Sequence, residues 1–135
     1  MHTTTLFGMG TDIVPVDRFA RLERRDGRIA YERLLSKREA QAAAHITSSV
    51  RRHRLLATCF AAKEAVFKAL GTGLIAGMSW RDVEIANAFT ACELQVHGQT
   101  QQHFTEQNIT SWKVSCSAND HLATAVVLLF ARNPS

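Results

Sequence analysis

A chain of 135 residues suits one domain with a single substantial core, and its 46% hydrophobic and 21% charged residues exclude a disordered charged tail. The formal charge of +4, with a pI near 9.3, can face nucleic acid, an anionic cofactor or an acidic protein. Leu122 to Ala131, the longest mainly apolar stretch, is too short to span a bilayer, and Met1-His2-Thr3-Thr4-Thr5 lacks the basic start and apolar run of a secretory signal, so a soluble cytoplasmic domain is expected.

Leu6 to Val14 is apolar apart from Thr11 and Asp12 and contains Gly8 and Gly10. It reads as a buried strand whose glycines allow close backbone approach. Pro15 fits the first turn of a helix, so a helix is expected from there. Phe19 and Leu22 form its apolar face, and Arg18, Arg21, Arg24 and Arg25 make it basic. Gly27 interrupts, and helical spacing resumes with Ile29, Leu34 and Leu35. Ser36-Lys37-Arg38-Glu39 has the form of a capping box. The alanine-rich stretch that follows is a good helix former. Ser48 or Ser49 then caps the longest helical pattern, which runs to Leu70 with Gly71 as a left-handed terminator.

Beyond Gly73 the period changes to two. Val83 and Ile85, then Cys92, Leu94 and Val96, alternate with polar neighbours as half-buried strands do. A short polar helix is expected over residues 99–107 around Phe104. Trp112, Val114 and Cys116 alternate again, and Leu122 to Phe130 is a rich apolar run, with the turn-forming Asn119-Asp120 between them. No repeat, low-complexity tract or linker divides the chain. The elements describe an α+β domain over residues 1–135, an N-terminal strand and helices followed by an antiparallel β-meander.

Cys59, Cys92 and Cys116 contain no CxxC and leave one cysteine over in any pairing, so they read as buried small residues in a reducing compartment. His97 and His103 are half of a zinc pattern that no cysteine pair completes. Asn108-Ile109-Thr110 matches a glycosylation acceptor that means nothing without secretion.

Two acids stand where acids are costly. Asp12 lies inside the first apolar strand, and Glu64 lies in the long helix close to the stripe of Leu56, Phe60, Phe67 and Leu70. A buried isolated carboxylate costs several kcal/mol, so each needs a cation, hydrogen-bond donors or a raised pKa. One reading makes them boundary residues, with Glu64 bonded to Lys68 one turn on. The other has both share a hard divalent metal such as magnesium, which accepts one or two carboxylates and completes its shell with water and phosphates. Lys63, Lys68 and the Gly71-Thr72-Gly73 turn suit phosphates, although the spacing is not that of a Walker loop.

Gly8-Met9-Gly10-Thr11-Asp12-Ile13-Val14, Phe60-Ala61-Ala62-Lys63-Glu64-Ala65 and Lys68-Ala69-Leu70-Gly71-Thr72-Gly73 together resemble the holo-acyl-carrier-protein synthases. These are the short, single-domain branch of the 4′-phosphopantetheinyl transferases. Weaker similarity covers nearly the whole chain, including Trp80 to Ile85 and the closing Ala123 to Val127 strand. The resemblance implies the 4′-phosphopantetheinyl transferase-like fold. It also implies transfer of phosphopantetheine from coenzyme A to a serine of an acidic apo-acyl carrier protein, releasing adenosine 3′,5′-bisphosphate.

Asp12 and Glu64 match the family's Mg²⁺ ligands, and with Lys68 they form the implied catalytic set. Lys68, Gly71, Thr72, Phe60 and Lys63 fall in the implied coenzyme-binding motifs. Arg18 matches a position that meets the carrier, and Arg21 and Arg25 extend that basic face. Family members are typically homotrimers with active sites shared between subunits. The chain departs from the family at Cys59, where many members have Arg, at Asn87 to Ala91, which replaces a Gly-Lys-Pro segment, and at Ala118, which follows Ser117 where many have His. Arg51, Arg52 and Arg54 are the candidates to replace the missing guanidinium. Two other functions are open to this sequence: a carrier-binding paralogue without catalysis, and a nucleic-acid-binding domain supported only by the clusters Arg18 to Arg28 and Arg51 to Arg54.

Overall fold

The computed structural model describes residues 2–134, with the side chains of 2, 29 and 134 outside that description. Its elements in chain order are β1 (His2–Pro15), α1 (Asp17–Leu34), α2 (Lys37–Ala44), α3 (Ser49–Leu70), a 3₁₀ turn (Trp80–Asp82), β2 (Val83–Ala86), β3 (Glu93–Val96), α4 (Gly98–Glu106), β4 (Ile109–Ala118) and β5 (Leu122–Pro134). The α+β class holds. The antiparallel strands, however, divide between two sheets: β1-β5-β4, and the separate pair β2-β3. Strand β1 thus belongs to the main sheet, because the long apolar β5 offers it a partner from His2↔Pro134 to Pro15↔Leu122.

That pairing also moves the start of the first helix. Pro15 ends an edge strand, where a missing N–H is tolerated, and α1 begins at Asp17. The interruption expected at Gly27 falls one residue earlier: Asp26 is non-helical, at φ −138° and ψ 26°, so α1 is two helical segments meeting at a kink before the helix runs on to Leu34. Leu34 and Leu35 are buried as their spacing predicts, whereas the side chain of Ile29 lies outside the described residues. Ser36 and Glu39 form the reciprocal capping box of α2. Ser48 caps α3, and Gly71 closes it at φ 80°. Asn119 shapes the β4–β5 turn by accepting the His121 and Leu122 amides at 2.8 Å each.

The core lies between α3 and one face of the main sheet. Ala123, Ala125, Val127 and Leu129 of β5 are buried there with Ala61, Ala62, Ala65, Val66 and Ala69 of α3. Small side chains on both surfaces let the helix lie close. The approach is tightest at β1, where a Cβ on Gly8 or Gly10 falls 1.9 Å from the Ala69 or Ala65 carbonyl oxygen. Only glycine fits at these two positions.

The cysteines depart from the reading as three separate thiols. Cys92, at the end of the β2–β3 turn, and Cys116 on β4 are joined as a disulfide with Cα atoms 6.3 Å apart. Cys59 remains a free, buried thiol. Period-two patterning gives exposure, not partners, so it could not reveal that the small sheet's turn lies over β4.

Gly10→Ala should lower unfolding free energy by about 3 kcal/mol or more, as severe overpacking does. Gly27→Ala, whose nearest neighbour is Glu23 Cγ at 3.7 Å, should cost nothing; urea denaturation of both variants checks the contrast.

Candidate active site

Gly8, Gly10 and Asp12 alternate along one face of β1, the face turned to α3. The backbone contact at Gly10 therefore carries Asp12 to the flank of α3 near its last two turns. There Lys68 Nζ donates to Asp12 Oδ1 and to the Thr11 carbonyl, each at 3.0 Å. Asp12 is the shielded partner, 16% exposed against 54% for Lys68. Glu64 sits one turn before Lys68 and is half-buried. Burial pushes its carboxyl above the usual carboxylate range, the Asp12 carboxylate adds to the shift, and Lys68 and Arg18 oppose it. The Asp12 carboxylate thus acts on Glu64 electrostatically, while Lys68 reaches across to the strand instead of pairing with Glu64.

Among the described residues no group of three or more His, Cys, Asp or Glu could hold a metal. The donor set here is two carboxylates, with the Lys68 ammonium bonded to that of Asp12. Hard oxygen donors, mutual repulsion and partial shielding suit magnesium, which needs only one or two carboxylates from the protein. The residues present fit the ion.

Gly71 and Thr72 lie exposed just past Lys68, with the Thr72 hydroxyl donating to the Gly73 carbonyl at 2.9 Å. Phe60 lies one turn before Glu64, flanked by Phe19 and Trp80 at ring separations of 5.9 and 5.6 Å. The Arg18 guanidinium stacks over Phe60 at 4.8 Å. Both line a groove of about 470 Å³ between α1 and α3, with Arg33 also on its wall. Arg21 is paired with Asp17 at 2.8 Å on the exposed helix surface, and Arg25 is exposed beyond it.

Lys63 requires a correction. The sequence motif groups it with the coenzyme-binding residues, but its side chain is 0% exposed and its partner Glu39 is 2% exposed. Its ammonium donates to Glu39 Oε1 at 2.7 Å, the Trp80 carbonyl at 2.9 Å and the Val83 carbonyl at 2.5 Å. Three donors meet three acceptors, leaving none for a phosphate. Glu39 also accepts the Ser36 and Ile85 amides. The pair therefore joins α2, α3, the 3₁₀ turn and β2. Sequence reasoning gave Glu39 only its cap; the signal for more was Lys63 itself, flanked by Ala61-Ala62 and Ala65-Val66 on a helix apolar on nearly every side.

The arginines proposed to replace the one missing at Cys59 differ in availability. Arg52 is engaged with Glu23 at 2.7 Å. Arg51 and Arg54 line a cavity of about 400 Å³ with Thr58, Ala88, Phe89, Cys116, Ser117 and Ala118. Arg51 stacks on Phe89 at 5.8 Å, and Arg54 pairs with Asp120 while its buried Nε has no partner. Cys59 is buried behind Thr58 in sequence, and burial pushes its thiol up to about 12, with Glu39 reinforcing and Lys63 opposing the shift.

The profile of the 4′-phosphopantetheinyl transferase superfamily matches residues 8–127. The chain belongs to this superfamily. A holo-[acyl-carrier-protein] synthase of Geobacter metallireducens is 40% identical over 126 residues, covering 92% of this chain and 97% of that protein. The synthase structure from Neisseria meningitidis superimposes with a TM-score of 0.82 at 30% identity, covering 93% of this chain and 98% of that one. The Helicobacter pylori synthase, solved in complex with coenzyme A, gives a TM-score of 0.72 at 27% identity over 90% of this chain and 98% of that one. This phosphopantetheinyl transferase is thus an enzyme of the holo-acyl-carrier-protein synthase kind.

Lys63→Met should lower stability by about 3–5 kcal/mol, the cost of leaving a buried charge unpaired. Coenzyme A affinity of the folded fraction should stay within about twofold, because Lys63 has no free donor for it. Urea denaturation and calorimetric titration measure the two effects separately.

Proposed function

We propose that this chain transfers 4′-phosphopantetheine from coenzyme A to a serine of an acidic apo-acyl carrier protein, releasing adenosine 3′,5′-bisphosphate in a Mg²⁺-dependent reaction. The observation that carries this reading is the convergence of Asp12, Lys68 and Glu64 between β1 and α3. Asp12 and Glu64 are the residues that would hold the ion. When bound, Mg²⁺ supplies Lewis-acid withdrawal of charge from the coenzyme's pyrophosphate.

The chain's own groups perform the remaining tasks. Lys68, which is half-exposed, turns its ammonium to the phosphate oxygens and offsets the negative charge that grows on the departing nucleotide. The carrier serine oxygen forms its bond to the β-phosphorus as the bridging P–O bond breaks toward adenosine 3′,5′-bisphosphate. Glu64 receives the serine proton on a carboxyl oxygen. The Gly71-Thr72 turn lies beside Lys68 as a further contact for the coenzyme. Arg51 and Arg54, with the orphaned Arg54 Nε, supply the guanidinium charge that Cys59 does not.

Arg18, seated on Phe60 at the edge of the apolar groove, meets an acidic residue of the carrier, with Arg21 and Arg25 on the approach. The carrier's acidity complements this face and speeds encounter.

We assign the working form to a homotrimer of single-domain chains in the cytoplasm. Two features support the assembly. The sheet face turned away from α3 exposes Leu6, Met9, Ile13 and Val126, a surface suited to another copy. In addition, the helix face bearing Arg51, Arg54 and Thr58 is turned about 90° from the face bearing Glu64 and Lys68, at ~3.6 residues per turn. Arginines and carboxylates on different faces of one chain can converge when a neighbouring copy brings its own.

Asp12→Ala and Glu64→Ala should each reduce transfer by at least about 100-fold while leaving the chain folded, given the size of a lost electrostatic contribution at a reacting centre. Mass spectrometry of apo-carrier incubated with coenzyme A and Mg²⁺ reads the effect; full activity in either variant would reject the site. Arg18→Glu should raise the carrier KM by about tenfold or more, as reversal of an interface charge does, with little change in the coenzyme KM.

A further inference from the structure

The disulfide lies at an informative place. Cys92 ends a turn in which Asn87 and Cys92 both adopt positive φ, 53° and 49°, and in which the Asn87 carbonyl accepts the Thr90 and Cys92 amides. Ala88 and Phe89 of that turn form one wall of the arginine cavity, and Cys116, Ser117 and Ala118 of β4 form another. The turn belongs to the β2-β3 sheet and β4 to the β1-β5-β4 sheet. The bridge therefore ties together two walls that backbone pairing leaves separate. Phe89 also carries the Arg51 guanidinium at 5.8 Å, so the position of the turn is transmitted to a cavity arginine.

We propose that Cys92 and Cys116 form a reversible thiol–disulfide exchange site whose state sets the spacing of the arginine cavity and hence affinity for the phosphate-bearing coenzyme. The proposal rests on reading that cavity as part of the coenzyme site. Cys116 is half-buried and Cys92 buried, so an external reagent reaches Cys116 first. The oxidant is a low-molecular-weight disulfide. The Cys116 thiolate attacks one of its sulfurs, forming a mixed disulfide and expelling one thiolate. The Cys92 thiolate then attacks the Cys116 sulfur and expels the second. Two protein thiols lose two electrons, the small disulfide becomes two thiols, and the two protons end on those thiols. Cys59, buried and free, takes no part and serves as the internal control. The cross-linked form holds the turn ready for the ligand, whereas the dithiol form must order it on binding.

The test equilibrates the full chain in glutathione buffers from fully reduced to fully oxidised, then quenches, denatures, alkylates and weighs it. Cys92 and Cys116 should lose alkylation together, while Cys59 stays alkylated throughout. Calorimetric titration with coenzyme A in Mg²⁺ buffer should give a Kd roughly three- to tenfold lower for the cross-linked form, the gain expected when one wall is pre-organised. Cys92→Ala and Cys116→Ala should each hold the weaker, redox-independent Kd. Retention of both thiols in fully oxidised glutathione, or an equal Kd in the two forms, would overturn the proposal. Carrier modification is measured in parallel: a redox-dependent Kd without transfer rejects the proposed reaction alone, and transfer with an equal Kd rejects the switch alone.

Discussion

The close approach of β1 to α3 is the constraint on which the site depends. Gly8 and Gly10 rest against the Ala69 and Ala65 carbonyls with no room for a Cβ. Because a strand repeats every two residues, the face that makes this contact also presents Asp12. Because a helix repeats every 3.6, Glu64 and Lys68 lie one turn apart beside Ala65 and Ala69. An increase of even one methyl group in the separation would move the strand carboxylate away from the helix ammonium, whose bond to Asp12 is 3.0 Å long. The same glycines that make the packing possible thereby fix the distance between the charged groups, so stability and site geometry share one origin.

A second device orients the other side of α3. The Lys63–Glu39 pair is buried, and every donor of its ammonium is occupied. Such a pair adds little net stability over an apolar replacement, since desolvation offsets most of the attraction. Its value is directional: the Lys63 bonds to the Trp80 and Val83 carbonyls hold the 3₁₀ turn and β2 against the helix. Trp80 in turn packs on Phe67 and Phe60, at 5.3 and 5.6 Å, and Phe60 seats Arg18. A buried charge thus reaches the surface guanidinium through two rings, without touching a ligand.

Much of this was legible in the chain because it is local. The capping box of Ser36 and Glu39, the Ser48 cap and the Gly71 terminator each depend on neighbours within four residues, and each formed as read. The two costly acids were visible for a similar reason, since a carboxylate within an apolar period stands out wherever it folds. What escaped was non-local. Pro15 became the end of a strand because β5, more than a hundred residues later, pairs with it. The motif around Lys63 points to the coenzyme because it conveys proximity in sequence, while the burial of Lys63 depends on Glu39 and on a turn that precedes β2. The Cys92–Cys116 bridge links two sheets whose relation no periodicity encodes.

The departures from the family pattern acquire a common explanation from position. Cys59 is buried and cannot project a charge. Thr58, its neighbour, lies on the wall of the cavity that Arg54 and Arg51 enter from one and two turns earlier in α3. Ala118 lines that same cavity, and the Asn87–Ala91 segment contributes Ala88 and Phe89 to it. Two of the three differences therefore fall on one space, and Cys59 lines a second cavity that shares Ala88 and Phe89 with it. Two arginines from earlier turns of α3 enter the first space, Arg51 braced by Phe89 and Arg54 by Asp120. A guanidinium with a buried, unpartnered Nε is costly to hold in a free protein, and an arriving phosphate oxygen would satisfy it. The cavity's guanidinium charge comes from Arg51 and Arg54, and the Cys92–Cys116 bridge joins the two walls that face them.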